Sequence, residues 1–134
     1  KLGTLVFRNE AARAQLNAVV HPAIFGEVGR RCAMYAEQGH AAVIVDAALL
    51  CEAGRKEPWL SGLILILASQ EVRLERMIRE RNMTREEGLR RITAQTPPEK
   101  KIPCADWMIE NNGTLDQFQI NVDKVIEEVI RAAG

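Results

Sequence analysis

Between Arg73 and Lys101 the chain carries Arg73, Arg76, Arg79, Arg81, Arg85, Arg90, Arg91, Lys100 and Lys101. Cations concentrated in this way can hold an anion and compensate charge developing on it. A second feature is CADWMIENNGT, residues 104–114, where an apolar pattern runs into Asn111, Asn112, Gly113 and a helix-starting Thr114. Amides beside a residue without Cβ let backbone groups approach the edge of a flat polar ligand. An ordinary strand-to-helix turn capped by Thr114 would use the same residues. Asp46 ends the apolar run AAVIVDA, residues 41–47; a carboxylate buried there needs a charged partner or a metal. His21 stands before Pro22, where a histidine more often packs or caps than binds a ligand.

Composition limits the setting for these groups. With 134 residues, 47% of them hydrophobic, the chain is long enough for one domain, residues 1–134, around one core. Eighteen basic residues balance eighteen acidic ones, so no global field recruits nucleic acid or an anionic membrane. Any anion site must therefore be local. Cys32, Cys51 and Cys104 are odd in number and widely spaced. That pattern suits neither a disulfide framework nor a zinc pair, and implies reduced thiols, a cytoplasmic protein and no structural metal. No apolar run reaches the roughly eighteen residues of a membrane helix.

The elements that must position the chemistry alternate. Asn9 is a good N-cap for EAARAQLNAVV, and His21-Pro22 should interrupt that helix because proline lacks the N–H donor. A new helix would run from Pro22 to about Gln38, with Ile24, Val28, Cys32 and Tyr35 along one face and Gly39 ending it. The opening KLGTLVFRNE has a short helical pattern of its own. AAVIVDA and LILILA (63–68) lack polar alternation, so both read as strands of a parallel sheet covered on two faces. Ser69 should cap a helix over QEVRLERMIRER, and Thr84 with Glu87 should form a capping box for a second charged helix. Leu89 and Ile92 give that second helix only a narrow apolar stripe. DWMIE reads as a last strand. The final helix would bury Leu115, Phe118, Val122, Val125, Ile126 and Val129. The order is that of an α/β fold, in which ligands bind beyond the carboxyl ends of the strands.

Four segments in register, HPAI, VDAALLCEAG, RERNMTREEGLRRITAQ and ADWMIENNG, resemble the dephospho-coenzyme A kinase family over essentially the whole chain. The resemblance implies a three-layer P-loop kinase-like parallel sheet with a helical lid. It also implies transfer of phosphate from ATP, with Mg²⁺, to the ribose 3′-hydroxyl of dephospho-coenzyme A. Residues 1–40 would be a helical substrate-side region and residues 79–103 the lid. Arg81 or Arg79 would cover the adenine or reach a phosphate, Arg81 being preferred, and Arg91 and Gln95 fall on lid positions. Asn111, Asn112 and Gly113 would border the adenine. His21, Glu52 and Gly54 would face dephospho-coenzyme A, and Asp46 would order Mg²⁺-bound water or a substrate hydroxyl.

The sequence departs from the family in several places. It contains no GxxxxGK[ST] loop, so the phosphate cradle and its Mg²⁺-binding hydroxyl are not in it, nor is the family's catalytic-base region. The resemblance implies roughly seventy further residues on the N-terminal side, since the P-loop opens such kinases. Ala48 replaces a usual proline, Cys51 a usual phenylalanine, and Pro98 a usual basic residue. The P-loop strand would lie between the AAVIVDA and LILILA strands. Without it, these two are expected to pair directly, to be covered by a second copy of the chain, or to await residues outside the sequence, and the chain alone would be inactive. Two other readings fit the residues: another nucleoside or nucleotide kinase of this architecture, or a non-catalytic α/β binding domain.

Overall fold

The computed structural model describes residues 6, 9–47, 50–51 and 56–133. They form two compact units, residues 1–46 and 47–134.

The first unit is built on one long helix, α1 (Glu10–Glu37). Asn9 caps it as expected, its Oδ1 accepting from the Ala12 N–H at 3.0 Å. Gly39, at φ +80°, turns the chain after it, a conformation that suits a residue without Cβ. The expected break at His21-Pro22 does not occur, since α1 runs through Pro22. The proline only deprives the Ala18 carbonyl of its usual donor, and α1 has no buried residue, so water can take that carbonyl. On its surface Glu27 accepts from Arg30 Nε and Arg31 Nε, each at 2.7 Å. These bonds hold its carboxyl at a pKa of about 2.

The run 41–47 is not a strand. Ile44 is 77% exposed and Val43 37% exposed, which corrects the expectation of a strand covered on both faces. The reason is that a strand's backbone groups are satisfied by a neighbour, and no strand among the described residues pairs with this segment. The expected direct pairing with LILILA is therefore not made.

The second unit holds a two-stranded parallel sheet, β1 (Ile64–Leu67) and β2 (Trp107–Glu110), in register Ile64 with Trp107 through Leu67 with Glu110. Helices α2 (Gln70–Arg81) and α3 (Arg85–Thr93) follow β1. A short helix α4 (Pro98–Lys101) and a 3₁₀ turn (Ile102–Cys104) lead into β2, and α5 (Leu115–Ala133) follows it. The capping expectations hold. Ser69 Oγ accepts from Val72 N, and Thr84 and Glu87 make the reciprocal capping box.

Leu63, Leu74, Ile92, Ile109, Val125 and Cys51 are buried and form the core of the described residues. Helix α5 packs on β2, and α2 on α3. Gly88 allows the latter approach, since a Cβ there would stand 2.6 Å from Leu74 Cδ1. Two expectations of burial fail. Ile66 on β1 is 54% exposed, because a two-stranded sheet with a helix packed on β2 leaves β1 partly open. Leu115 is 79% exposed, because it begins α5 beyond the end of β2, while Val125 further along is buried.

Asp106 sets where the two strands begin. Its carboxylate accepts from the Leu63 N–H at 2.8 Å and from Lys56 Nζ at 2.8 Å, while its own N–H donates to the Leu63 carbonyl at 3.0 Å. The Lys56 bond and then the Leu63 N–H hold its pKa below the usual aspartate value. Just before β1, Gly62 lies against the Trp107 ring, where a Cβ would collide with Cζ3 and come 3.0 Å from Cη2.

Two outcomes are expected. Gly62→Ala should destabilise the second unit by about 1–3 kcal/mol, because the indole is rigid and overpacking costs that much; Gly26→Ala on α1, with nothing within 4 Å, should instead gain about 0.5–1 kcal/mol of helix. Chemical denaturation followed by circular dichroism reads both. Asp106→Asn keeps an acceptor for Leu63 N–H and removes the charge. Because the native pKa of Asp106 is depressed, its ionic contribution is complete above the unfolded value, roughly 4, and is lost as pH falls through the native value. The stability gap between wild type and Asp106→Asn should be open at pH 6 and close below pH ~4; denaturation midpoints across that range test it. With Asp106 38% exposed, the gap should be small, about 1 kcal/mol or less.

Candidate functional site

Parallel pairing brings the carboxyl ends of β1 and β2 to the same side, so the turns after them meet. The Asn111 N–H extends the ladder by donating to the Leu67 carbonyl at 2.7 Å. Asn112 Oδ1 accepts from the Ser69 N–H at 2.7 Å, tying the turn after β2 to the start of α2. Arg76 Nη2 donates to the Gly113 carbonyl at 3.3 Å. From within α5, Asn121 Nδ2 donates to the Glu110 carbonyl at 3.0 Å, while Asn121 Oδ1 accepts from Gln117 Nε2 at 3.2 Å. Thr114 Oγ1 accepts from Gln117 N at 3.2 Å, the cap read from the sequence.

This geometry separates the three residues of the Asn-Asn-Gly turn. Asn111 acts through its backbone N–H, which the ladder consumes, and its side chain makes no hydrogen bond among the described residues. The Asn112 carbonyl oxygen is occupied, which leaves its amide NH₂ as the donor for a ligand. Gly113 is not in the left-handed region, where Gly39 is the one glycine among the described residues. A Cβ on Gly113 would meet Gln117 at an ordinary contact distance of 3.4 Å, so among the described residues neither packing nor backbone conformation demands a glycine there.

The charged helices stand beside this turn. Arg73 Nη1 donates to Gln95 Oε1 at 3.3 Å, joining α2 to the segment after α3. Arg79, 72% exposed, pairs with Glu80 at 2.7 Å. That bond first, then the nearby Arg76 and Arg81, lowers the Glu80 pKa. Arg81 and Arg91 are exposed. Glu86 stands 3.8 Å from Arg90, a loose surface pair, and Glu87 is engaged by Thr84. The hairpin thus keeps exposed guanidinium groups that no close carboxylate neutralises among the described residues.

The remaining sequence-derived candidates fall in different places. His21 lies on α1 with its ring edge-to-face against Phe25 at 5.8 Å, and is half-buried. Asp46 is exposed and follows the unpaired segment 41–45, so the burial that singled it out is not there. Its reason for attention was the strand, and the strand did not form. Glu52 and Gly54 lie outside the described residues. Among the described residues no three His, Cys, Asp or Glu side chains gather as a metal site. Sequence reasoning missed Asn121, whose amide braces the end of β2, and gave no separate role to Arg73 and Arg76. The available signal was their spacing, i and i+3 in the first turns of the helix that follows β1.

The profile of the family described as "Dephospho-CoA kinase" matches residues 1–117. A dephospho-CoA kinase of Bacillus thuringiensis subsp. konkukian is 39% identical over 128 residues, 96% of this chain and 64% of that protein. One from Corynebacterium glutamicum is 31% identical over 129 residues, 96% of this chain and 64% of its own length. The chain thus spans about 64% of the length of such relatives. Among solved structures, TT1252 from Thermus thermophilus superposes with TM-score 0.70 at 35% identity, over 95% of this chain and 64% of that one. A dephospho-CoA kinase from Campylobacter jejuni, with TM-score 0.59 and 23% identity over 99% of this chain and 65% of its own, shares the fold. With the profile covering most of its length and relatives of one description matching nearly all of it, this α/β chain belongs to the dephospho-CoA kinase family.

Proposed function

We propose that this chain supplies the nucleotide-side turn and the arginine-bearing lid of an enzyme that transfers phosphate from ATP to the ribose 3′-hydroxyl of dephospho-coenzyme A. The observation that carries the reading is the meeting of the Asn111–Gly113 turn with the Arg73–Gln95 helical pair at the carboxyl ends of two parallel strands. Phosphoryl transfer needs the phosphates held, their charge compensated and water excluded. An arginine-rich hairpin closing over the nucleotide does all three.

In this reading the Asn112 amide and the Gly113 backbone border the adenine, with Asn111 fixing the turn. Arg81, Arg79 and Arg91 face the nucleotide from the lid, residues 79–103, and Gln95 holds its far end to Arg73. His21 belongs to the substrate-side region, residues 1–40, while Glu52, Gly54 and Asp46 serve dephospho-coenzyme A. Magnesium bound to ATP would neutralise phosphate charge; no metal-holding cluster stands among the described residues, so no residue of this chain is assigned to it. By itself the 134-residue chain lacks the GxxxxGK[ST] loop and is expected to be inactive, and its exposed Ile44 and Ile66 favour self-association.

Intact mass and a coupled ADP-release assay, made on one preparation of the protein, test this. A protein longer than the 15.0 kDa of these residues should release ADP only when dephospho-coenzyme A is added, and the 15.0 kDa chain should not. Release with other nucleosides but not with dephospho-coenzyme A would reject the substrate. No release from the longer protein would reject the kinase. In the active protein, Arg81→Ala and Arg91→Ala should each lower kcat/KM for ATP by about tenfold or more, the loss of one charged hydrogen bond. Steady-state kinetics at varied ATP decide this, and unchanged values for both would return these arginines to the solvated surface.

A further inference from the structure

We propose that Asn112 is a site of spontaneous covalent modification, its side chain closing on the Gly113 amide nitrogen to a succinimide that water opens to aspartate and isoaspartate. Asn112 alone among the asparagines precedes a glycine. Ring closure needs a following residue with no side chain in the way, a main-chain N–H not held in a hydrogen bond, and access for water. Asn112 and Gly113 are both exposed. Among the described residues the Gly113 N–H donates to no acceptor. Asn112 Oδ1 accepts from the Ser69 N–H at 2.7 Å, which polarises the carboxamide carbon and steadies charge gathering on that oxygen during attack. Its nitrogen, the leaving group, donates to nothing among the described residues.

The other asparagines lack this combination. Asn17 and Asn121 lie inside α1 and α5, where the next N–H belongs to the helical ladder. Asn82 is exposed, but the Met83 N–H after it donates to the Met77 carbonyl at 3.4 Å. Asn9 and Asn111 are followed by Glu10 and Asn112, whose side chains obstruct the attacking nitrogen.

The atoms balance with water alone. The Gly113 nitrogen bonds to Asn112 Cγ and gives up its proton, the Cγ–Nδ2 bond breaks, and the side-chain nitrogen departs as ammonia with that proton. Water then adds across an imide C–N bond: opening at the side-chain carbonyl gives aspartate, and opening at the main-chain carbonyl gives isoaspartate, which lengthens the backbone by one carbon. Either product replaces an amide that can donate with a carboxylate that only accepts. Isoaspartate also displaces the Gly113 carbonyl that Arg76 Nη2 holds at 3.3 Å, loosening the tie between the turn and α2. The modification requires nothing of the kinase reading, and only its effect on nucleotide binding rests on that reading.

The test is incubation of the folded protein at mildly alkaline pH, with mass spectrometry of the tryptic peptide spanning residues 102–124. Asn112 should gain about 1 Da, divided between two separable products, aspartate and isoaspartate. Gly113→Ala should slow that gain by about tenfold or more; its Cβ would meet Gln117 at an ordinary 3.4 Å, so the fold should be kept. The same chain unfolded in denaturant gives a reference that needs no variant. A folded-state rate within about tenfold of that reference supports the proposal, and a slower one overturns it. A rate unchanged within about twofold in folded Gly113→Ala overturns it equally. So do a gain of aspartate without isoaspartate, since direct hydrolysis bypasses the ring, and an equal gain at Asn82 or Asn111.

Discussion

The parallel ladder of β1 and β2 is the constraint on which the second unit depends. Parallel strands need a long crossover, and here residues 68–106 supply it, including α2, α3 and α4. The same direction in both strands puts the start of α2 and the start of α5 at one edge. Asp106 fixes the amino end of the pair and Asn111 the carboxyl end. Between those two ties only four residues of each strand are paired, so each hydrogen bond at the ends is a large share of the total.

A short ladder also explains the division of labour among polar side chains. Asn112, Arg76 and Asn121 all bond backbone groups at the carboxyl edge, and each draws on a different element: the turn, α2 and α5. A longer sheet could hold that edge by backbone pairing alone. With two strands, side-chain amides and a guanidinium complete what the ladder leaves open, and residues suited to recognition are also structural. The amide NH₂ of Asn112 remains available because only its oxygen is used.

Local chemistry was legible in the sequence, and tertiary pairing was not. The caps at Asn9, Ser69 and Thr84 depend on residues within three positions, and each could be read from its neighbours. The strands over Ile64–Leu67 and Trp107–Glu110 were legible because both are apolar and each found the other. AAVIVDA has at least as strong a pattern, yet a β-rich run becomes a strand only beside a partner, which no window of residues can reveal. Pro22 was misread for a related reason. The cost of the missing N–H depends on whether the freed carbonyl meets protein or water, and that is a property of the surroundings.

The same distinction governs the candidate site. The Asn111–Gly113 turn could be anticipated at the end of a strand from residue type and order, and it meets α2 there, whereas the roles given to Arg79, Arg81 and Arg91 came from the family resemblance alone. Asp46 was singled out on an inferred burial that the unpaired segment does not supply. The significance of Arg73 could not be read locally, since its neighbours include Glu71 and Glu75, ordinary surface partners for a helical arginine. Only the fold turns its guanidinium toward Gln95 and buries its Nε. What such an arginine joins therefore belongs to the arrangement of α2 and the segment after α3 rather than to any one residue.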